Sequence, residues 1–201
     1  MDFKVCMNNF PWNRFGTVYE TNSKELRDKF IKIFDGNADT KDYQFIIDRL
    51  EHQATLYRIT PWGLKFYIYL LEIEKSDKST LLENIKTIFE AANYNSKGDI
   101  AQKYKPTKGN LEKYEQIKIK LFDDSFDGKL DTEYIKAFKA IDRHFMQISI
   151  MDYILSKKLI LEKLIKSNDP KIIDSANLLV NSINNPRKYK FTSEDGVEEE
   201  Y

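Results

Sequence analysis

Apolar residues recur along this chain with the three- and four-residue spacing of amphipathic helices. Leu26, Phe30 and Ile33 show the spacing near the start, and Tyr134 and Phe138 show it again in the second half. Runs that alternate between apolar and polar residues, as half-buried strands do, are few. The 201 residues include only seven glycines and five prolines, which favours long helices and short connections. The pattern predicts an all-α fold.

Capping residues and helix breakers divide this pattern into separate helices. We expect the first helix to begin at Asn22, with Glu25 completing a capping box, and to end at residues 35–37, which read Asp-Gly-Asn. A second helix is expected from about residues 39–40 to His52, followed by a connection. Later helices are expected after N-cap residues at Thr60, Ser79, Asn110, Asp131 and Asp169.

Two stretches have weaker boundary signals. Residues 93–108 are polar and rich in breakers, so we expect a loop there. No glycine or proline occurs between Asp131 and Asn168, and a stretch of this length is long for one globular helix. We place a break near Ser149, because Ser149 and Asp152 resemble a capping pair.

The densest apolar run lies within residues 50–74. Thr60 and Pro61 form a helix start, since proline at the first helical position loses no hydrogen bond. Trp62 and Phe66 belong to one apolar stripe of this helix, and Leu64, Tyr67 and Leu71 form a second stripe. A helix with two apolar stripes is expected to be packed on two sides, in the centre of the fold.

Pairs of helices separated by short polar turns recur along the chain. They span residues 30–50, 65–91 and 161–183, with a looser pair at 119–141. The repeat of about forty residues is typical of HEAT-type helical pairs. We therefore predict one helical-repeat domain over residues 1–186, in which 1–22 form an aromatic N-terminal cap. Residues 187–201 are predicted to be a flexible charged tail.

The charge balance argues against several partners. The chain has 32 Lys and Arg against 32 Asp and Glu, so its formal net charge is zero. A broad positive field, as expected of a protein that binds nucleic acid or anionic membranes, is therefore absent. Lysine far outnumbers arginine, although arginine suits forked phosphate recognition better. Binding of nucleic acid is therefore not expected.

The cysteine content indicates a reducing compartment, and the hydropathy of the chain indicates neither a secretory signal nor a membrane span. Cys6 is the only cysteine, so no intrachain disulfide can form, and a cytoplasmic location is expected. The first residues lack the basic and apolar regions of a secretory signal. The apolar run at 59–73 is interrupted by Lys65 and is too short to span a bilayer, so we expect no membrane partner.

Residues 52–71 resemble a segment of bacterial HEAT-like proteins, in which a His-Gln-x-Thr-x-Tyr run leads into a capped helix. The matching residues are His52, Gln53, Thr55, Tyr57, Thr60, Pro61, Leu70 and Leu71, with Trp12 and residues 15–20 upstream. The chain departs from these proteins at Ala54, often glycine there, and at Trp62 and Lys65. The resemblance implies a right-handed α-α superhelix of roughly four helical pairs, of HEAT/ARM type, and no settled activity. Some such proteins look like interaction or toxin-immunity proteins.

The same segment holds the strongest candidate site. We expect His52 at a helix C-terminus, where an imidazole can interact with free carbonyls and the helix dipole. Gln53, Thr55 and Tyr57 would form a hydrogen-bonded corner beside it, with Trp12 and Trp62 nearby. These six residues are predicted to be either a partner-binding surface or a structural corner. The structural role is favoured, since no nucleophile or second base lies at a recognisable spacing.

No cofactor or metal is predicted. Residues 123–134 resemble a calcium loop, but Tyr134 occupies the twelfth position, where a bidentate glutamate is required. Two histidines and one cysteine cannot form a zinc site at any usual spacing. Cys6 has no neighbouring base, so thiol catalysis is not expected.

The leading hypothesis is a non-enzymatic module that binds another protein, in its more specific form an immunity or regulatory protein for a toxin-like partner. Balanced charge, stacked helical pairs and the lack of a catalytic cluster favour it. The alternative is a HEAT-like enzyme acting on nucleic acid, such as a DNA glycosylase-like protein. That alternative requires a basic groove with aromatic residues.

Overall fold

Helices form most of the secondary structure of the chain, so the all-α prediction is confirmed. The computed structural model describes residues 2–17, 23–97, 108–141, 143–186, 188–191 and 197–200. Its helices are α1 (Phe3–Asn9), α2 (Lys24–Asp35), α3 (Thr40–Leu50), α4 (Thr60–Leu70), α5 (Lys78–Lys97), α6 (Lys108–Leu121), α7 (Thr132–Ala140), α8 (Arg143–Ser156), α9 (Lys158–Leu164) and α10 (Pro170–Asn184), with a short 3-10 helix at Trp12–Arg14. Among the described residues, none of these helices is both long and apolar enough to cross a membrane.

Two short antiparallel hairpins accompany the helices. Strand β1 (Glu51–His52) pairs with β2 (Thr55–Leu56) between α3 and α4. Strand β3 (Lys188–Phe191) pairs with β4 (Val197–Glu200) after α10. The flexibility predicted for residues 187–201 stays a prediction, and residues 187, 192–196 and 201 lie outside the described part of the chain.

Several helix ends lie where local signals predicted them. Asp39 accepts a hydrogen bond from Asp42 N at 2.9 Å, and Asp42 accepts one from Asp39 N, which completes a capping box. Asp131 accepts from the backbone of Tyr134 at 2.7 Å. Gly36 ends α2 in the left-handed conformation, with φ of 73°. These predicted helix boundaries are confirmed. They could be predicted because each cap is formed by residues that are neighbours in the sequence.

Other predicted caps were wrong. Helix α2 begins after Ser23, whereas Asn22 lies outside the described residues. Asn110 lies inside α6, which begins at Lys108. Ser79 lies inside α5, because Asp77 just before it accepts a hydrogen bond from Thr80 N at 3.1 Å. Helix α5 also continues into the predicted loop at residues 93–108, of which 98–107 are not described.

The predicted break at Ser149 was also wrong. The chain bends earlier, since α7 ends at Ala140 and Ile141 is extended, while Ser149 is buried inside α8. Arg58 donates to the carbonyls of Phe138 and Ile141 at 3.0 and 2.7 Å. It therefore satisfies carbonyl groups at the end of α7 from a segment about eighty residues away.

Helix α4 forms the centre of the core, as predicted. Ten of its 11 residues are buried. Phe3, Phe10, Trp12 and Phe15 from the N-terminal segment are buried with it, and Phe10 lies 5.4 Å from Phe66 between ring centroids. The aromatic side chains of the N-terminal segment are therefore part of the same core as α4, and the domain bounds predicted at residues 1–22 and 1–186 stay predictions.

The loop between α6 and α7 also contacts the N-terminal segment. A Cβ atom added to Gly128, whose φ is +91°, would lie 2.2 Å from the carbonyl oxygen of Cys6. Asn9 Nδ2 donates to Asp127 O at 3.0 Å. Only glycine allows this approach, because the backbones are in contact and the dihedral is left-handed.

Candidate functional site

The predicted site at His52 is a two-residue hairpin turn. His52 pairs with Thr55, and the turn residues Gln53 and Ala54 have φ of 49° and 59°. Both are in the left-handed region, which favours glycine or asparagine. Ala54 N donates to Glu51 Oε1 at 2.6 Å, which helps to hold the turn. The glycine common at this position in the HEAT-like segment would fit the same backbone without steric cost.

The expected location of His52 at a helix C-terminus was wrong. Helix α3 ends at Leu50, and Glu51 continues in extended conformation into β1. His52 is partly buried in the hairpin. The imidazole therefore belongs to a strand of the hairpin and not to the last turn of α3.

Thr60 closes the hairpin instead of capping its own helix. Its hydroxyl donates to Leu50 O and accepts from Tyr57 N, the latter at 3.0 Å. The N-cap position of α4 belongs to Ile59, so the predicted cap at Thr60 was wrong. The Thr60 hydroxyl therefore links the start of α4 to the last residue of α3 and to the segment between them.

Both predicted tryptophans lie in the core. Trp12 is 4% exposed and donates from Nε1 to Met7 O at 2.7 Å. Trp62 is fully buried, with Phe126 at 4.9 Å between ring centroids. The indoles therefore lie below the surface, whereas Gln53 is exposed at the hairpin tip. The six predicted residues do not form one surface.

The aspartates of residues 123–131 form local turns. Asp123 accepts from Ser125 N at 2.8 Å, and Asp127 accepts from Lys129 N at 3.0 Å. The hydrogen bond from the Lys129 backbone lowers the pKa of Asp127. The pKa of Asp123 is lowered by hydrogen bonds from the hydroxyl and the backbone N–H of Ser125. Within the described ranges, no group of three or more acidic, histidine or cysteine side chains could hold a metal ion.

A groove that the sequence did not indicate lies between α5 and α10. Ser79 and Ser175 are hydrogen-bonded through their hydroxyls at 2.8 Å, and Ser182 donates to Glu90 at 3.1 Å. These contacts advance together along both helices, so α5 and α10 run in the same direction. Their N-termini consequently lie side by side at one end.

The groove lies at that end and has a volume of about 730 Å³. It is lined by acidic, hydroxyl and apolar side chains and by two lysines. They are Glu74, Ser76, Asp77, Lys78, Ser79, Thr80, Glu83, Asp169, Lys171, Ile172, Asp174, Ser175 and Leu178. Leu178, which is 55% exposed, adds accessible apolar surface to this lining.

Carboxylates outnumber lysines in the groove by five to two. Asp77 and Asp169 have a structural role as well, because they accept hydrogen bonds from the first backbone N–H groups of α5 and α10. Glu74, Glu83 and Asp174 have no such role at a helix start. None of the five carboxylates forms an ion pair with a residue in the described part of the chain. The groove thus carries uncompensated negative charge around an exposed leucine.

A second, smaller cavity of about 280 Å³ lies beside α4. Its most unusual side chain is Lys65, which is 3% exposed. A lysine within the apolar run at 59–73 was the sequence signal for this cavity, although the sequence showed neither its walls nor its partners.

Comparison of the chain with protein-family models, curated proteins and solved structures finds no match. The similarity to bacterial HEAT-like proteins therefore rests on the residues at 12–74 and stays a prediction.

Proposed function

We propose that the chain is a non-enzymatic protein-interaction module that holds a lysine- or arginine-rich helix of a partner protein in the groove between α5 and α10. The observation that carries this proposal is the set of five carboxylates without ion-pair partners among the described residues, arranged around the exposed Leu178. An immunity or regulatory role towards a toxin-like partner is the specific form that the resemblance supports.

Charge and apolar area have different roles in such binding. The carboxylates would attract a basic segment and determine its orientation, so they mainly raise the association rate. Leu178 and Ile172 offer apolar surface, and burying one leucine side chain contributes roughly 1.5–3 kcal/mol. The groove volume of about 730 Å³ is within the range of protein clefts that bind drug-sized ligands.

Helix dipoles do not reverse the sign of the groove. Each helix N-terminus carries the equivalent of about half a positive charge. Two such ends contribute about one positive charge, which is less than the excess of three carboxylates over lysines. A basic segment is therefore still attracted, and the attraction weakens as salt screens it.

The α-α superhelix of HEAT/ARM type and the cytoplasmic location belong to this proposal as predictions. The parallel packing of α5 on α10 supports a repeat arrangement, because equivalent helices of stacked pairs run in the same direction. The nucleic-acid enzyme has less support, since the carboxylates of the groove would repel a phosphate backbone.

Binding of a designed peptide tests the proposal. The probe is a fluorescein-labelled helical peptide of lysine and leucine, and its control carries glutamate at every lysine position. We expect the basic peptide to bind, more weakly at higher salt, and the acidic peptide to show no binding in fluorescence anisotropy.

Variants locate the binding surface. Asp174→Asn combined with Leu178→Ser should weaken binding of the basic peptide at least tenfold. Leu159→Ser is the matched control, because Leu159 is 73% exposed but lies on α9, outside the groove. Equal binding of both peptides, or equal weakening by both variants, would contradict the proposal.

A further inference from the structure

Lys65 is held inside the protein by the end of α6. Its Nζ donates to Leu121 O at 2.8 Å and to Asp123 O at 2.6 Å. These contacts satisfy two of the three N–H groups that an ammonium carries. They also fix the position of the nitrogen, because both acceptors are backbone atoms.

The side chain of Lys65 lines a cavity that is open to solvent on one side. The cavity is lined by Lys65, Ile68, Tyr69, Glu72, Asp124, Tyr153, Lys157 and Ile160. Glu72 and Asp124 are exposed, so their side of the cavity faces solvent. A volume of about 280 Å³ is near the lower end of ligand sites and admits a small organic molecule.

The surroundings raise the neutral fraction of the Lys65 amine above that of an ordinary lysine. Burial lowers the pKa of Lys65 to about 8; Asp124 opposes this shift and the ammonium of Lys157 adds to it. At pH 7 about a tenth of such an amine is neutral, against less than a thousandth of an ordinary lysine. Only the neutral amine is a nucleophile.

A second cation lies close to the first. The Nζ atoms of Lys65 and Lys157 lie 5.6 and 5.4 Å from the ring centroid of Tyr153. Lys157 forms an ion pair with Asp124, and its side chain is 13% exposed. Desolvation together with a neighbouring cation is one way in which proteins activate an amine.

We propose that Lys65 reversibly captures a small aldehyde or ketone as an imine. The lone pair of Nζ forms a bond to the carbonyl carbon, and the carbon–oxygen π bond breaks as its oxygen takes up a proton. Transfer of the nitrogen proton and loss of water from the carbinolamine then give the imine. Addition of water reverses the step, so no oxidant or reductant is needed. Water at the open side of the cavity, where Glu72 and Asp124 are exposed, supplies and removes the protons.

Reductive alkylation of the native protein tests this capture. The probe is acetaldehyde with sodium cyanoborohydride at pH 7, followed by digestion and mass spectrometry of each lysine. We expect Lys65 to be ethylated at least ten times faster than the exposed Lys41 and Lys171. In denaturing urea the three lysines should react at equal rates, because the selectivity comes from the folded environment.

A purely structural Lys65 would behave differently. If its ammonium only binds the carbonyls at the end of α6, it will be ethylated no faster than Lys41, and that result overturns the proposal. The Lys157→Gln variant adds a second measurement. Removing the cation raises the pKa of Lys65 and should slow its ethylation at pH 7, whereas Lys163→Gln on the exposed side of α9 should not. An unchanged rate in Lys157→Gln would contradict the proposed activation.

Discussion

Helices α4 and α10 differ in how much of their surface the fold covers. In α4, ten of 11 residues are buried, whereas only Ser175, Ala176 and Leu179 are buried among the 15 residues of α10. A side chain in α4 is therefore surrounded by the rest of the protein. Most side chains of α10 face solvent or the acidic groove, where they are free to contact a partner. Substitutions in α4 should change stability, and those on the open face of α10 should change binding.

The charged side chains of α4 and α10 also differ in whether the fold supplies them with partners. The ammonium of Lys65 in α4 has backbone acceptors at 2.6 and 2.8 Å. The carboxylate of Asp174 on α10 has no ion-pair partner among the described residues. A buried charge requires partners because desolvation is costly, whereas a charge facing water does not. Charged side chains without an ion-pair partner are therefore found where a helix is exposed to water.

The largest contrast is expected between Trp62→Ala and Leu178→Ala. Trp62 is fully buried among aromatic rings, so its truncation should lower the free energy of unfolding by about 3–5 kcal/mol. Leu178 is 55% exposed, and its truncation should change stability by less than about 0.5 kcal/mol. Urea unfolding followed by circular dichroism measures both. Similar losses in both variants would remove the distinction between the two helices.

Gly128 should be nearly as sensitive as the core. Alanine there would bring a Cβ atom against Cys6 O at a left-handed backbone position, so we expect a loss of about 3 kcal/mol. Gly109, in the first turn of α6, has no neighbouring atom of the described residues within 4 Å of an added Cβ. Gly109→Ala is therefore the control and should raise stability by a few tenths of a kcal/mol, or about 1 at most. A stable Gly128→Ala variant would show that the loop and α1 separate easily.

The pH dependence of unfolding should reveal Lys65. Its pKa is about 8 in the folded chain and about 10.4 in an unfolded chain, so between these values the unfolded state binds more protons. Stability from this group therefore rises with pH, by about 2 kcal/mol between pH 7.5 and 9.5. Burial raises the pKa of Cys6 to about 12, which acts in the opposite direction.

The difference between two proteins separates these contributions. Wild type should gain stability relative to Lys65→Met by about 2 kcal/mol on going from pH 7.5 to 9.5. Lys41→Met, at an exposed position on α3, should show no such difference from wild type. Parallel pH profiles for wild type and Lys65→Met would mean that Lys65 keeps an ordinary pKa despite its burial.

The smallest effect is expected at the hairpin turn. Ala54 has a φ of 59°, and glycine takes this conformation without strain, so Ala54→Gly should raise stability by about 0.5 kcal/mol. Thr55→Gly in the neighbouring strand should lower stability, because Thr55 is not in the left-handed conformation that glycine would relieve. Thermal unfolding compares the two variants. Lower stability of both variants would indicate that packing of the Ala54 methyl group stabilises the protein by more than the left-handed backbone of Ala54 costs.

Short-range signals identified much of the fold. The sequence predicted the end of α2 at Gly36 and the starts of α3, α7 and α10 at their aspartate caps, which the structure confirms. It also predicted a central, doubly packed α4. These features depend on hydrogen bonds between residues a few positions apart, or on a high density of apolar residues, so they are visible in a linear pattern.

Other features depend on residues that are distant in the chain. Arg58 contacts the end of α7 some eighty residues later, which explains why a break at Ser149 was predicted wrongly. The serine contacts that align α5 with α10 join residues 96 and 92 positions apart. No local periodicity indicates which helices become neighbours or whether they run in the same direction.

The sequence by itself determined that the chain is helical, that α3, α7 and α10 begin after their aspartate caps and that α4 lies in the core. The reason is that capping and burial of apolar residues act within a few turns of one helix. Only the tertiary structure decided that His52 lies in a hairpin, that Lys65 reaches the end of α6 and that five carboxylates surround one groove. The contacts of Lys65 and the lining of the groove depend on the path of the chain in space, because separate helices bring together side chains that the sequence keeps apart. The hairpin is local, but its turn residues Gln53 and Ala54 are not the glycine or asparagine that favour a left-handed backbone.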